Sequence, residues 1–186
     1  MIRALGLLTA TSVLFLFSIV ASMGQSMLID DFQSNSDQRW RFFADTIMGG
    51  VSSGDVEFET KDGVSFARLT GDVSTANNGG FIQIRHELES VPSKDIQGVR
   101  LVVRGNNQRY FVHLRTSWTV LPWQYYQAQY DVSSDWQEVR IPLSGFERSG
   151  KLLKKVPAAT SIKSVAIVAF GRDHAADVEV REIGFY

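Results

Sequence analysis

The chain contains no cysteine, which excludes disulfides, thiolate metal centres, a thiol nucleophile and a lipid-modified cysteine. Its fold must rest on packing alone, and 186 residues of ordinary apolar content are enough for one domain. Excess charge is also missing, with 19 Lys+Arg against 20 Asp+Glu, so no global field gathers nucleic acid or anionic lipid. No nucleic-acid partner is expected. Histidine is scarce: His86, His113 and His174 are all there are, and none sits in a Gly-x-Ser-x-Gly or His-Glu-x-x-His setting. A dinucleotide fingerprint is absent, and Gly150-Lys151 lacks the glycine spacing of a phosphate loop. The carboxylates Asp45, Glu57, Glu59, Glu87 and Glu89 make no pattern beyond what a β-protein offers by chance. These absences argue against an enzyme and against a cofactor. A hard-cation site on Asp30 or Asp31 beside Glu182 competes with ordinary surface charge, and no metal is expected.

Long apolar runs are confined to the N-terminus. Arg3 precedes an almost unbroken apolar run from Ala4 to Val20, followed by the small-residue stretch Ala21-Ser22-Met23-Gly24-Gln25-Ser26. That order is a secretory signal over residues 1–26, with a retained membrane anchor as the alternative. Thr9, Thr11, Ser12 and Ser18 weaken it as a spanning helix. Either reading places residues 27–186 outside the cytoplasm, periplasmic or secreted, and any membrane contact is expected through an uncleaved N-terminal segment.

From Met27 onward no segment has a helical period. Short runs of β-branched and aromatic residues alternate with clusters of Gly, Asn, Asp and Ser, the pattern of an all-β sandwich or barrel. Strands are expected over 27–32, 40–43, 56–59, 64–70, 79–87, 99–104, 109–115, 125–132, 138–141, 165–170 and 178–185. Turn signals include Lys61-Asp62-Gly63, Asn77-Asn78-Gly79-Gly80, Gly105-Asn106-Asn107 and Ser133-Ser134-Asp135. No repeat, low-complexity tract or linker divides 27–186, so a single sandwich domain is expected.

Alternation along these strands separates two faces. Ile82 and Ile84 oppose Phe81, Gln83 and Arg85. Tyr110, Val112 and Leu114 oppose Phe111, His113 and Arg115; Tyr126, Ala128 and Tyr130 oppose Tyr125, Gln127 and Gln129; Val99, Leu101 and Val103 oppose Arg100 and Arg104. If the four strands share a sheet, its polar face carries arginine forks, amides and flat rings, the set that holds a polar ligand. The alternative is an ordinary solvated face. The candidate ligand-binding residues are Gln83, Arg85, Arg104, His113, Arg115, Tyr125 and Gln127. Trp118 and Trp123 join them from the proline-centred loop Val120-Leu121-Pro122-Trp123, which either caps the core or forms a recognition platform.

Two segments are more specific. The first runs Asp45-Thr46-Ile47-Met48-Gly49-Gly50-Val51-Ser52; the second includes Gly71-Asp72-Val73-Ser74 and Asn77-Asn78-Gly79-Gly80-Phe81. Together they resemble the signature of the NADH:ubiquinone oxidoreductase intermediate-associated protein 30 family. Tyr110 to Arg115 and Trp136 to Leu143 fit it too, so the resemblance spans nearly all of 27–186. It implies a galactose-binding-like jelly-roll β-sandwich, related in shape to carbohydrate-binding modules, with Asp45, Met48, Gly49, Gly50, Ser52, Asn78, Gly79, Gly80 and Phe81 as motif positions. In that setting the glycines supply positive φ or close backbone approach, and Asp45, Ser52 and Asn78 tie the turns through side-chain hydrogen bonds. Mitochondrial members assist assembly of respiratory complex I without known catalysis, which implies a protein partner; the export signal departs from that setting. A glycan is the alternative ligand. Asn106-Asn107 departs from an Asp-Gly turn seen in relatives.

Overall fold

The computed structural model describes residues 27–186; the segment expected to be a signal or anchor, residues 1–26, lies outside the described residues. In chain order the elements are β1 (Met27–Asp30), a one-turn helix α1 (Ser36–Arg39), β2 (Trp40–Ala44), β3 (Ser53–Lys61), β4 (Val64–Val73), β5 (Phe81–Glu87) and β6 (Gly98–Gly105). They continue with β7 (Arg109–Thr116), β8 (Tyr126–Asp131), β9 (Gln137–Pro142), β10 (Glu147–Arg148), β11 (Ile162–Phe170) and β12 (His174–Phe185). Every expected strand is present. The two-residue β10 and the single turn α1 are additions, too short to leave a period in the sequence.

The strands form two antiparallel sheets. One has the order β3-β4-β12-β6-β9, with β1 also paired to β12; the other has the order β10-β8-β7-β11-β5-β2. The apolar halves of the alternating strands face each other between them. Ile82, Ile84, Tyr110, Val112, Leu114, Val165 and Ile167 pack from one sheet against Leu69, Val99, Leu101, Val103, Val178, Ile183 and Phe185 of the other. All are essentially inaccessible, and each contributes about 1.5–3 kcal/mol of apolar burial. Tyr110 can sit this deep because its hydroxyl donates to Asn106 Oδ1 at 2.7 Å and accepts the Asp177 amide at 2.7 Å.

The apolar pattern of β12 changes phase, from Val178 and Val180 to Ile183 and Phe185. A bulge accounts for it: against β6, Val180 is opposite Val103 while Glu182 is opposite Val102, so Arg181 is the extra residue. Without that residue Ile183 and Phe185 would point outward.

The outer face of the first sheet is closed by charge. Arg68 forms a bidentate pair with Asp177, Arg100 binds Glu138 and Glu182, and Arg104 binds Glu179 with its guanidinium over the Trp136 ring. At the β1 end, Asp30 is buried and accepts the Phe32 amide, the Arg39 guanidinium and the Trp40 indole N–H at 2.7–3.0 Å. Asp30 and Glu182, the carboxylates weighed for a cation, are thus both engaged by protein groups. Both carboxylates already hold arginines, and among the described residues no group of three His, Cys, Asp or Glu is placed to bind a metal.

Candidate functional site

The outer face of the second sheet is where the polar halves of its strands come together. Register across it gives one row of Arg41, Arg85, Ala166, His113 and Gln127, and a second of Phe43, Gln83, Val168, Phe111 and Gln129. In the middle, β11 contributes the small residues Ser164 and Ala166. Larger side chains on either side stand above them, so the face is hollow.

The hollow is a cleft of about 660 Å³. Ser164 and Ala166 form its floor, and Arg85, Arg115, Gln83 and His113 rise beside them. Arg85 lies with its guanidinium 4.5 Å from the Phe43 ring centroid and its Nε 3.0 Å from Glu87. Arg115 Nη2 donates to the carbonyls of Thr119 at 2.9 Å and Leu121 at 3.1 Å, fixing the 117–125 loop over the sheet. The two guanidiniums are close enough that repulsion from Arg85, after burial, lowers the Arg115 pKa. None of the lining side chains is a carboxylate; Glu87, outside the lining, pairs with Arg85, and among the described residues Arg115 forms no ion pair.

His113 stacks on Tyr125, with centroids 4.3 Å apart and planes 10° from parallel, and Phe170 closes both rings edge-on. Burial alone depresses the His113 pKa to about 3, so the ring is neutral at physiological pH, and its Nε2 is buried without a hydrogen-bond partner. Burial raises the Tyr125 pKa.

The rim is apolar and comes from both ends of the sheet. Ile47 and Met48 stand 72% and 63% exposed on one side, and Trp123 stands 65% exposed on the other, beside Pro122. Ser149 holds the second side, accepting the Tyr125 amide and donating to the Trp123 carbonyl, both at 2.9 Å.

The first side is held by Asp45, which is fully buried. Its carboxylate accepts the Ser52 amide at 2.9 Å, the Ser52 hydroxyl, and the amides of Gly80 and Phe81. Burial pushes its pKa up, and these hydrogen bonds more than offset that, leaving it below the usual carboxylate range. Ser52 Oγ in turn accepts the Ser74 amide at 3.0 Å. One buried anion thus joins the 45–52 turn to the 74–81 turn and sets the positions of Ile47, Met48 and Asn78 at the cleft.

The motif glycines have two separate reasons. Gly49 and Gly80 take φ of +91° and +129°, which side chains rarely adopt. At Gly50 and Gly79, a Cβ would overlap the Asp45 carboxylate. Asn78 is placed otherwise than expected: it takes φ of +58°, as does Asn77 at +56°, and its contribution is backbone conformation. The 45–52 and 74–81 motifs build the wall of the cleft.

Of the candidate ligand-binding residues, Gln83, Arg85, His113, Arg115, Trp123 and Tyr125 line this one cleft. Arg104 does not. Its strand β6 belongs to the other sheet, where Arg104 is engaged with Glu179 and Trp136. Alternation reports which face a residue occupies and is silent on which sheet. Trp118 is 62% exposed in the loop but is not part of the lining, and Gln127 lies across from His113 with its Oε1 buried outside the cleft. Phe43, Ile47, Met48, Ser164, Ala166 and Phe170 are among the further lining residues and were not expected there. The low polarity of Ser164-Val165-Ala166 hid a floor that only neighbouring strands define.

Fold and cleft together define a galactose-binding-like jelly-roll β-sandwich with a hollowed outer sheet. The chain belongs to the complex I intermediate-associated protein 30 (CIA30) family, whose model matches residues 30–180. No curated protein matches the chain in sequence. Among solved structures it is similar to a family 11 carbohydrate-binding module from Clostridium thermocellum in complex with a beta-1,3-1,4-mixed-linked tetrasaccharide. That match has 12% identity and a TM-score of 0.69, covering 86% of this chain and 94% of the module. It is also similar to a family 30 carbohydrate-binding module, at 14% identity and TM-score 0.52 over 74% of this chain and 91% of that one. An exo-beta-agarase matches at 10% identity and TM-score 0.55, over 88% of this chain and 25% of the agarase. Family and fold together support a binding domain.

Proposed function

We propose that the protein is a non-catalytic binding domain acting outside the cytoplasm, in the manner of an assembly factor, and that the cleft on the second sheet receives a segment of a protein partner. The observation that carries this reading is the rim: exposed Ile47 and Met48 face exposed Trp123 across a floor flanked by Arg85 and Arg115. Aliphatic, thioether and indole anchors around half-buried arginine forks suit a peptide segment that brings both apolar and carboxylate side chains. The non-catalytic reading is supported by the lining, which has a neutral buried histidine and, among the described residues, no carboxylate, thiol or lysine to act with it.

A photo-crosslinking side chain at Gln83, used in intact cells, tests the proposal. Recovery of one discrete protein partner through Gln83, and its absence when the crosslinker is at Ser134, supports it. Equal, diffuse crosslinking at both positions overturns it.

A second reading is a glycan in the same cleft. It draws on the likeness to a module solved with a tetrasaccharide and on the open Trp123 ring at the rim. Titration of the protein with cell-wall and plant-type oligosaccharides, followed by tryptophan fluorescence, gives saturable binding if this reading holds. The same titration gives a flat response if a peptide is the ligand.

A further inference from the structure

Trp118, Val120 and Leu152 are exposed, are not part of the cleft lining, and lie in loops at one end of the sandwich. Val120 and Leu152 are 80% and 95% exposed. Their two loops are clasped together. The Ser117 amide donates to the Ser161 carbonyl at 2.8 Å, and Ser149 bonds Trp123 and Tyr125 as described above. The patch they form is therefore one surface.

Its charge is predominantly positive. Residues 149–161 contain Lys151, Lys154 and Lys155 and no acidic residue, and residues 110–130 contain none either. The three lysines are exposed, and among the described residues none takes part in an ion pair. Exposed Glu147 on β10 is the acidic group that borders these loops, beside Arg148, while Glu87, Glu89 and Asp95 belong to the β5–β6 side, where Glu87 is held by Arg85.

The chain also enters the fold here. Met27 pairs with Phe185, and the 88–97 segment connects that corner to the start of β11: the Leu88 amide donates to the Lys163 carbonyl, and the Gln97 amide to the Tyr186 carbonyl. Met27, the first described residue, therefore lies at the same end as the loop tips.

We infer that this end is a docking surface for an anionic phospholipid bilayer, with Trp118, Val120 and Leu152 entering the headgroup region and the three lysines meeting lipid phosphates. Exposed apolar tips ringed by unpaired cations are the combination that binds such a surface, since each lysine near it strengthens binding by about 5-fold. Trp118 suits the interface because its indole has an apolar body and a polar N–H. The surface uses residues outside the cleft lining, on loops that also carry Trp123 of the rim, and goes beyond the proposed function by setting the cleft beside the membrane.

Because the chain has no cysteine, single-cysteine variants report position cleanly. Val120→Cys and Leu152→Cys, with Ser134→Cys at the opposite end, are made in the full chain and labelled with an environment-sensitive dye. They are then mixed with vesicles of equal parts phosphatidylglycerol and phosphatidylcholine. The expected result is a blue shift and protection from an aqueous quencher at 120 and 152 and neither at 134. The shift should be absent with phosphatidylcholine alone, and charge reversal of Lys151, Lys154 and Lys155 to Glu should weaken it at least about 100-fold. Dyes at 120 and 152 that behave like the one at 134 overturn the inference. So does a shift unaffected by charge reversal, or one equally strong on phosphatidylcholine. None of these outcomes bears on crosslinking through Gln83, so the two proposals fail separately.

Discussion

The carboxylate of Asp45 occupies the space that a Cβ on Gly79 would need. Gly79 itself has an ordinary φ of −79°, so its glycine requirement comes from Asp45 and not from backbone conformation. Replacing Gly79 by Ala should cost about 1–3 kcal/mol through overpacking, and Gly79→Val should unfold the domain. In an Asp45→Ala background the cost of Gly79→Ala should largely disappear. A double-mutant cycle by urea denaturation checks this, and simple additivity of the two costs would contradict the relationship.

Asp45→Asn keeps the shape but turns an acceptor of four hydrogen bonds into a group with its own donors. At least one of the Ser52, Gly80 and Phe81 groups then loses its partner, and stability should fall by about 3 kcal/mol. Thermal unfolding measures it. Crosslinking through Ile47 or Met48 should fall as well at temperatures where the variant remains folded, because the rim they occupy is set by the same carboxylate.

Asp30→Ala should destabilise by about 3–5 kcal/mol, since it strands Arg39 and leaves the buried Trp40 N–H without an acceptor. Denaturant unfolding checks the loss. A variant as stable as the parent would mean that water replaces the carboxylate fully.

Stability should fall as pH falls, in two stages. His113 is held down to about 3 by burial, against 6.5 in the unfolded chain, so between those values the unfolded state takes up a proton that the folded state refuses. That stage begins near pH 6.5. The carboxylates of Asp30 and Asp45, held below 3.8 by hydrogen bonds that outweigh burial, contribute stability above that value and lose it as pH falls through their folded pKa values. Denaturation midpoints measured from pH 8 to pH 3 should show both stages. His113→Gln should shrink the first to the part carried by His174, whose pKa burial also lowers, and leave the second.

The two cleft arginines should respond differently. Arg85 is partly exposed and its Glu87 partner is mostly exposed, so Arg85→Ala should change stability by less than about 1 kcal/mol while weakening partner capture. Arg115→Ala should cost about 1–2 kcal/mol, because two loop carbonyls lose their donor and the Trp123 side of the rim loosens. Thermal melts and crosslinking yield through Gln83 separate these effects.

The strands, the two faces of each and the glycine motifs of the family are all legible in the order of residues. These depend on local rules: a period of two sorts side chains between faces, and turns demand residues that tolerate their φ. The same order also singled out six cleft residues, because Arg, Gln, His and aromatic side chains opposite an apolar stripe are conspicuous. Only the tertiary structure decided which strands lie side by side. Arg85 and Arg104 have the same local pattern, yet β5 and β6 enter opposite sheets, and one arginine stands over the cleft while the other pairs with Glu179. The floor at Ser164 and Ala166, the bulge at Arg181 and the meeting of Asp45 with Gly79 and Gly80 depend likewise on contacts between segments remote in sequence. Alternation carries no information about which strand comes next in a sheet; that is fixed by packing the whole core at once.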